Sequence, residues 1–134
     1  MKVQEIMTRT VVTVELDDKL ELVKEIFDQH KFHHLLVVET ESLLGVISDR
    51  DLFKALSPNL GSKWESDKDM ATLNKRVHQI MTRKPITLGR DATVEEAVDL
   101  FLTKNISCIP VVDAEFKPVG IVSWKDAIRV LAKK

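Results

Sequence analysis

Short apolar runs and helical stripes alternate along this chain, and the same alternation is read twice. A β-branched run (Val11–Val14) leads to an acidic segment, Asp17-Asp18-Lys19-Leu20-Glu21, and then to Leu20, Val23, Ile26 and Phe27 at helical spacing. The apolar strand His33-His34-Leu35-Leu36-Val37-Val38 follows. A polar turn at 39–42 leads into Leu43–Ile47, which predicts a hairpin. A second helix is predicted from Ser48, with Leu52, Phe53 and Leu56 as its apolar residues. The later set matches: Ile86–Leu88, the helix entrance at Asp91–Glu96, and the stripe Val94, Ala97, Val98 and Phe101. Then come Ser107–Val112, a turn at 113–118, Val119–Val122, and a helix from Ser123 carrying Ala127, Ile128 and Leu131. Asp18 with Glu21, and Thr93 with Glu96, have the spacing of capping boxes. The predicted order is β-α-β-β-α, twice, an α/β (α+β) fold.

Direct repetition of residues supports this reading. Ile6-Met-Thr-Arg9 recurs at Ile80–Arg83 and Val37 at Val111, each 74 positions on. Gly45 and Gly120 stand 75 apart, so the second copy carries one extra residue in a turn. Each copy closes on glycine, two β-branched residues, serine, two variable residues and aspartate: Gly45–Asp51, with Asp49-Arg50 as the variable pair, and Gly120–Asp126, with Trp124-Lys125. Such internal repetition governs any reading of the fold. It places repeat 1 at residues 1–56, a linker at 57–76 and repeat 2 at 77–134. Twenty residues is long for a structureless connection, so part of the linker is expected to be helical or to lie across a functional surface. Its one large apolar residue, Trp64, is expected to anchor on the domain or on a second subunit.

The chain has 134 residues, with 20 basic and 21 acidic side chains and a net charge of −1. That balance gives no global attraction for nucleic acid or an anionic membrane. The length suits one compact module, whereas halves of about 55 residues are marginal alone and are expected to share a core. Cys108 is the only cysteine, so no internal disulfide forms. The opening residues lack a signal-peptide pattern and no stretch is long and apolar enough for a membrane span, giving a cytoplasmic protein as the expectation.

Ser48 and Ser123 admit two readings. They cap their helices, with Asp51 and Asp126 three residues on favouring the helix dipole. Alternatively, the helix entrance binds an anion, the serine meeting phosphate and the carboxylate accepting from ribose hydroxyls. Both roles are compatible in the same residues. Arg50 and Lys125 precede the aspartates and either point toward phosphate or form solvated surface charge. Trp124 stands where the first copy has Asp49, so one copy gains an aromatic lid and the other a negative charge that repels phosphate unless a cation bridges it. Pro110, where the first copy has Leu36, belongs at a strand edge or bulge. Strand alternation sends His33 and His34 to opposite faces, against a shared metal ion, and no zinc-ligand set is present in the pattern. Cys108 lies in an apolar strand without a paired base or a Gly-rich phosphate loop, so catalysis finds no support.

The repeated IMTR opening, the strand ending Ile109-Pro110-Val111-Val112 and the two Gly-h-h-Ser-x-x-Asp closings resemble a tandem pair of cystathionine-β-synthase (CBS) domains, a Bateman module. The resemblance covers both repeats and is closest to small stand-alone members. It implies two pseudo-symmetric repeats packed through their sheets, assembled as a disc-like homodimer. It further implies one cleft using Ser123, Lys125 and Asp126 with Val12, Phe32 and His33. The pseudo-symmetric cleft would use Ser48, Arg50 and Asp51 with Ile86, Ile106 and Ser107. The ligand implied is adenosine-containing: AMP, ADP, ATP or S-adenosylmethionine, with or without magnesium, and no required cofactor. The function implied is a non-catalytic regulatory sensor that passes its signal to another protein. The alternative is a constitutive assembly domain with empty clefts.

Overall fold

Both repeats form the predicted elements in the computed structural model, which describes residues 1–133. Repeat 1 contains β1 (Thr13–Glu15), α1 (Leu20–Gln29), β2 (His34–Glu39), β3 (Ser42–Ser48) and α2 (Asp49–Ala55). The linker contributes α3 (Asp67–Ala71), followed by a short 3-10 turn at Thr72–Asn74. Repeat 2 follows with β4 (Thr82–Arg83), β5 (Leu88–Gly89), α4 (Val94–Thr103), β6 (Cys108–Val112), β7 (Pro118–Ser123) and α5 (Trp124–Ala132). The fold is a mixed α+β arrangement with two small sheets, ordered β1-β2-β3-β4 and β5-β6-β7. The first strand of each repeat begins later than its apolar run predicts. Val11, Val12 and Ile86 precede the ladders, and pairing starts only at Thr13, opposite Leu36, and at Leu88, opposite Val111.

The chain divides into two compact units that cut across the sequence repeats. One unit takes Thr13–Glu39 and Leu44–Arg83, and the other takes Met1–Val12, Thr40–Leu43 and the chain from Lys84 onward. Each unit therefore holds the body of one repeat and the opening segment of the other. In the first, Val77 N–H donates to Asp18 O and Leu20 N–H to Lys75 O, both at 2.9 Å. In the second, Val94 N–H donates to Met1 O at 2.9 Å and Val3 N–H to Ala92 O at 2.8 Å.

These bonds explain how the two long helices begin. The first backbone donors of a helix lack intrahelical partners, and here a carbonyl of the exchanged segment satisfies one of them. Thr93 adds the expected side-chain cap, its Oγ1 accepting from Glu96 N–H at 3.1 Å. Asp18 does not form the expected box with Glu21. The cap position of α1 is Lys19, without a side-chain bond, and Asp18 Oδ2 instead accepts from Glu15 N–H at 2.7 Å.

The exchanged segments also fix the paired glycines. β4 lies antiparallel to β3, with Gly45 opposite Arg83 and Val46 opposite Thr82. In the other unit Thr8 pairs in the same way with Ile121 of β7. A Cβ on Gly45 would stand 2.6 Å from the Thr82 carbonyl, and one on Gly120 would meet Met7 Sδ and lie 3.0 Å from the Thr8 carbonyl. The glycine-first closing and the IMTR opening are thus two halves of one close backbone approach.

In the second unit Val3, Met7, Ala97, Ile109, Val111 and Val122 form the core. Buried residues of the first unit include Leu20, Val23, Leu35, Leu36, Val37, Ile47, Leu52, Val77 and Met81. Pro110 is buried in β6, a central strand rather than an edge. β5 pairs only with Val111 and Val112, where the β6–β7 register also shifts, so the proline lies beyond the end of β5. Trp64 is not anchored on its own unit: it is 71% exposed, with Lys63 Nζ 4.5 Å from its ring centroid.

Candidate functional site

The end of β3 and the start of α2 build the first serine–aspartate entrance. Ser48 adopts an extended conformation and Oγ accepts from Asp51 N–H at 3.1 Å, while Asp51 Oδ2 accepts from Ser48 N–H at 2.9 Å. β7 and α5 repeat the device. Ser123 Oγ accepts from Asp126 N–H at 3.3 Å, and Asp126 Oδ2 accepts from Ser123 N–H at 2.8 Å. The capping reading is therefore realised at both positions. In each case one carboxylate oxygen is engaged by the cap. Asp126 Oδ1 faces Arg129 Nη1 at 3.3 Å, with the aspartate side chain only 13% exposed.

The carbonyl of the residue just before β2 or β6 completes each entrance. Asp49 N–H donates to His33 O at 3.0 Å, and Trp124 N–H to Ser107 O at 3.3 Å. His33 and Ser107 are repeat equivalents, so the start of the second strand is tied to the first turn of the last helix in both copies. The first unit thus brings together His33, Ser48, Asp49 and Asp51, with Arg50 exposed on the same turn. The second brings together Ser107, Ser123, Trp124 and Asp126, with Lys125 exposed and its Nζ 6.0 Å from the Trp124 ring centroid.

The aliphatic and aromatic candidates are half-buried. Val12 and Ile86 belong to the second unit and precede β1 and β5 in the chain, and Ile106 packs on that unit's core. Phe32 belongs to the first unit, where it meets Phe27 edge-on with centroids 6.1 Å apart and stacks on His30 at 5.0 Å. One ring face is thus already used within the repeat.

The copies diverge most at the residue after the serine. Asp49 Oδ2 lies 2.8 Å from Nδ1 of the exposed His33 side chain, whereas Trp124 carries no charge and is 45% exposed. The sequence marks Asp49 as an unbalanced charge, but the pairing with His33 spans sixteen positions and has no local signal. The neighbouring His34 is held below the ordinary imidazole value of 6.5, first by burial and then by nearby His33, against the opposing pull of Asp49 and Asp51. Burial pushes the Cys108 thiol up to about 12, the opposite of what an activated nucleophile needs. Among the described residues no group of three or more His, Cys, Asp or Glu side chains has a metal-binding arrangement. Among the described residues no helix is long and apolar enough to cross a membrane.

The pattern of the CBS domain matches residues 3–58 and 77–133. A CBS domain-containing protein of Dictyostelium discoideum is 32% identical over 98% of this chain and 91% of its own length. Other curated relatives are longer: the chain spans 47% of an uncharacterized protein of Methanocaldococcus jannaschii at 28% identity. It spans 23% of that organism's L-aspartate semialdehyde sulfurtransferase at 29% identity. Among solved structures, the CBS domain pair of protein MJ0100, in complex with 5′-methylthioadenosine and S-adenosyl-L-methionine, superposes with a TM-score of 0.81 at 29% identity. The match covers 100% of this chain and 98% of that one. CBSX2 in complex with AMP gives a TM-score of 0.79 at 25% identity, covering 98% and 96%.

Proposed function

This chain belongs to the CBS domain family, with two CBS repeats in tandem, and from that membership we propose that it is a regulatory module binding an adenosine-containing ligand. The observation that carries the proposal is the doubled entrance: a capping serine, an aspartate three residues on and a tethered carbonyl from the residue before the second strand, in both repeats. A helix entrance with oriented N–H groups favours an anion such as phosphate. Each aspartate has one oxygen engaged by the cap, and the lone pairs of the other can accept from ribose hydroxyls, at Asp126 alongside the bond from Arg129 Nη1. Similar CBS pairs solved with AMP, and with methylthioadenosine and S-adenosylmethionine, support adenosine as the shared element. The family's enzymes hold the matched region as a fraction of a longer chain, which supports a regulatory rather than catalytic role. Ligand binding acts on a partner only through a difference in affinity between two states of the module.

Calorimetric titration with AMP, ADP, ATP, methylthioadenosine and S-adenosylmethionine tests the reading, with and without magnesium. Saturable binding that weakens at least tenfold in Asp51→Asn or Asp126→Asn supports the ribose role. Asparagine keeps an acceptor for the cap, whereas the alanine variants also lose about 1 kcal/mol of capping. No saturable binding by any of these compounds rejects the sensor.

A second reading, constitutive assembly, is favoured by apolar side chains left open on the helices. Leu102 of α4 is 80% exposed, and Ile128 and Leu131 of α5 about half exposed. Under this reading sedimentation gives a dimer with or without nucleotide, and Leu102→Lys with Leu131→Lys gives a monomer.

A further inference from the structure

The linker does more than join the repeats: with α1 it encloses a groove of about 400 Å³. Leu60, Met70 and Leu73 line it with apolar surface, Met70 being 46% exposed and the two leucines half-buried. α1 contributes the exposed carboxylates of Glu21, Glu25 and Asp28, and the linker adds Glu65. Glu65 Oε1 accepts from Gly61 N–H at 2.9 Å, which folds the linker back on itself. Among the described residues Lys24 is the only cation lining the groove, and it is already paired with Asp28 at 2.7 Å. Neither Glu21 nor Glu25 is ion-paired among the described residues. Like charges four positions apart on a helix repel, so this pair costs α1 local stability until a cation from outside meets it.

α5 carries the complementary pattern. Trp124, Ile128 and Leu131 recur on one helical face, and each is about half exposed. Lys125, Arg129 and Lys133, four positions apart, form an exposed basic row beside them, with Arg129 in contact with Asp126 at 3.3 Å. Neither pattern is kept in the other copy. α4 has Val98 and Leu102 where α1 has Lys24 and Asp28, and repeat 1 has Asp49 and Pro58 at the places of Trp124 and Lys133. Only repeat 1 offers the acidic groove, and only repeat 2 the basic, apolar helix face. We propose that the linker groove of one copy receives α5 of a second copy, joining repeat 1 of one chain to repeat 2 of the other. A helix laid in a groove anchors through residues at i, i+4 and i+7, the spacing of Trp124, Ile128 and Leu131. These three meet Leu60, Met70 and Leu73, and the basic row meets the carboxylates of Glu21, Glu25 and Glu65. The inference rests on the assembly reading, to which it gives a definite surface, and is independent of nucleotide binding.

The test reverses the charge on each side and then mixes the products, with sedimentation of the full chain as the readout. Glu21→Lys with Glu25→Lys makes the groove basic, and Arg129→Glu with Lys133→Glu makes the helix face acidic. Each double variant alone is expected to lose self-association by about tenfold or more, because like charges then face each other. Mixed in equal amounts, the two are expected to recover wild-type association as a heteromer, a result that damaged folding does not produce. Raised salt is expected to weaken association of the wild type. Circular dichroism establishes that each variant is folded, and Glu21→Gln with Glu25→Gln supplies a neutral groove, expected to weaken association less, should the reversal disturb α1. If the wild type associates and the groove variants associate equally well, or the folded reversed pair fails to recover on mixing, the groove is overturned while the assembly reading stands. A wild type that stays monomeric throughout the concentration series overturns both.

Discussion

Cys108 sits at the start of β6 with its thiol shifted from an ordinary 9.0 to about 12 by burial. Its protonated form is therefore favoured by folding. Below pH 9 both folded and unfolded chains carry the proton and the residue adds no slope. Between pH 9 and about 12 the unfolded thiol ionises while the folded one does not, so stability falls as pH rises, by up to about 1.4 kcal/mol per pH unit. Denaturant unfolding of wild type and Cys108→Ala across this window is expected to show the gap between them narrowing; a constant gap overturns the assignment. No tyrosine titrates in the same range to obscure it. A second residue-scale prediction concerns the hairpin tip. Thr40 and Glu41 both adopt positive φ, 47° and 70°, a conformation that disfavours a β-branched side chain. Asparagine tolerates it, so Thr40→Asn is expected to stabilise the protein by about 1 kcal/mol, read as a higher melting temperature.

At the scale of elements, most of the helices and strands were legible because their signals are local. Leu20 and Val23, or Val94 and Ala97, repeat on one helical face and are buried. Serine followed three residues later by aspartate starts α2 and α5. The misread starts fall where a neighbour decides the pairing: Val11 and Val12 look like strand, yet no ladder partner reaches them. The glycines carry the sharpest element-scale test. Gly45→Ala places its Cβ against the Thr82 carbonyl, a backbone atom that cannot swing away, and is expected to cost about 1–3 kcal/mol. Gly120→Ala meets the core side chain of Met7 as well as the Thr8 carbonyl at 3.0 Å, and is expected to cost a comparable amount. Gly89, with nothing within 4 Å of a built Cβ, serves as the control, with a change within about 0.5 kcal/mol. Equal losses at all three positions in chemical denaturation would show that the IMTR approach does not constrain these glycines.

At the scale of the molecule, the exchange of opening segments makes neither repeat self-sufficient. Residues 77–133 alone lack Val3 and Met7 from their core, and four backbone bonds: Val3 to Ala92, Val94 to Met1, and both between Thr8 and Ile121. A domain's whole stability is about 5–15 kcal/mol, and a unit of this size stands at the low end. The 77–133 fragment is therefore expected to be unfolded by circular dichroism, and appending residues 1–12 by a flexible linker is expected to restore helical signal. A cooperative thermal transition in the unaided fragment would contradict this account. Repetition in sequence thus gives the order of elements, while each compact unit is assembled from both copies.

The sequence by itself determined the duplicated β-α-β-β-α order, the apolar faces, the two serine–aspartate helix starts and the family resemblance they carry. Those features arise from side-chain periodicity and hydrogen bonds spanning three or four residues, which any local reading captures. Only the tertiary structure decided which opening segment serves which repeat, why Gly45 and Gly120 have no side chain, and that His33 holds Asp49. Each of these depends on a backbone donor or a steric gap being met by atoms distant in sequence, and that matching is fixed by packing, not by local pattern.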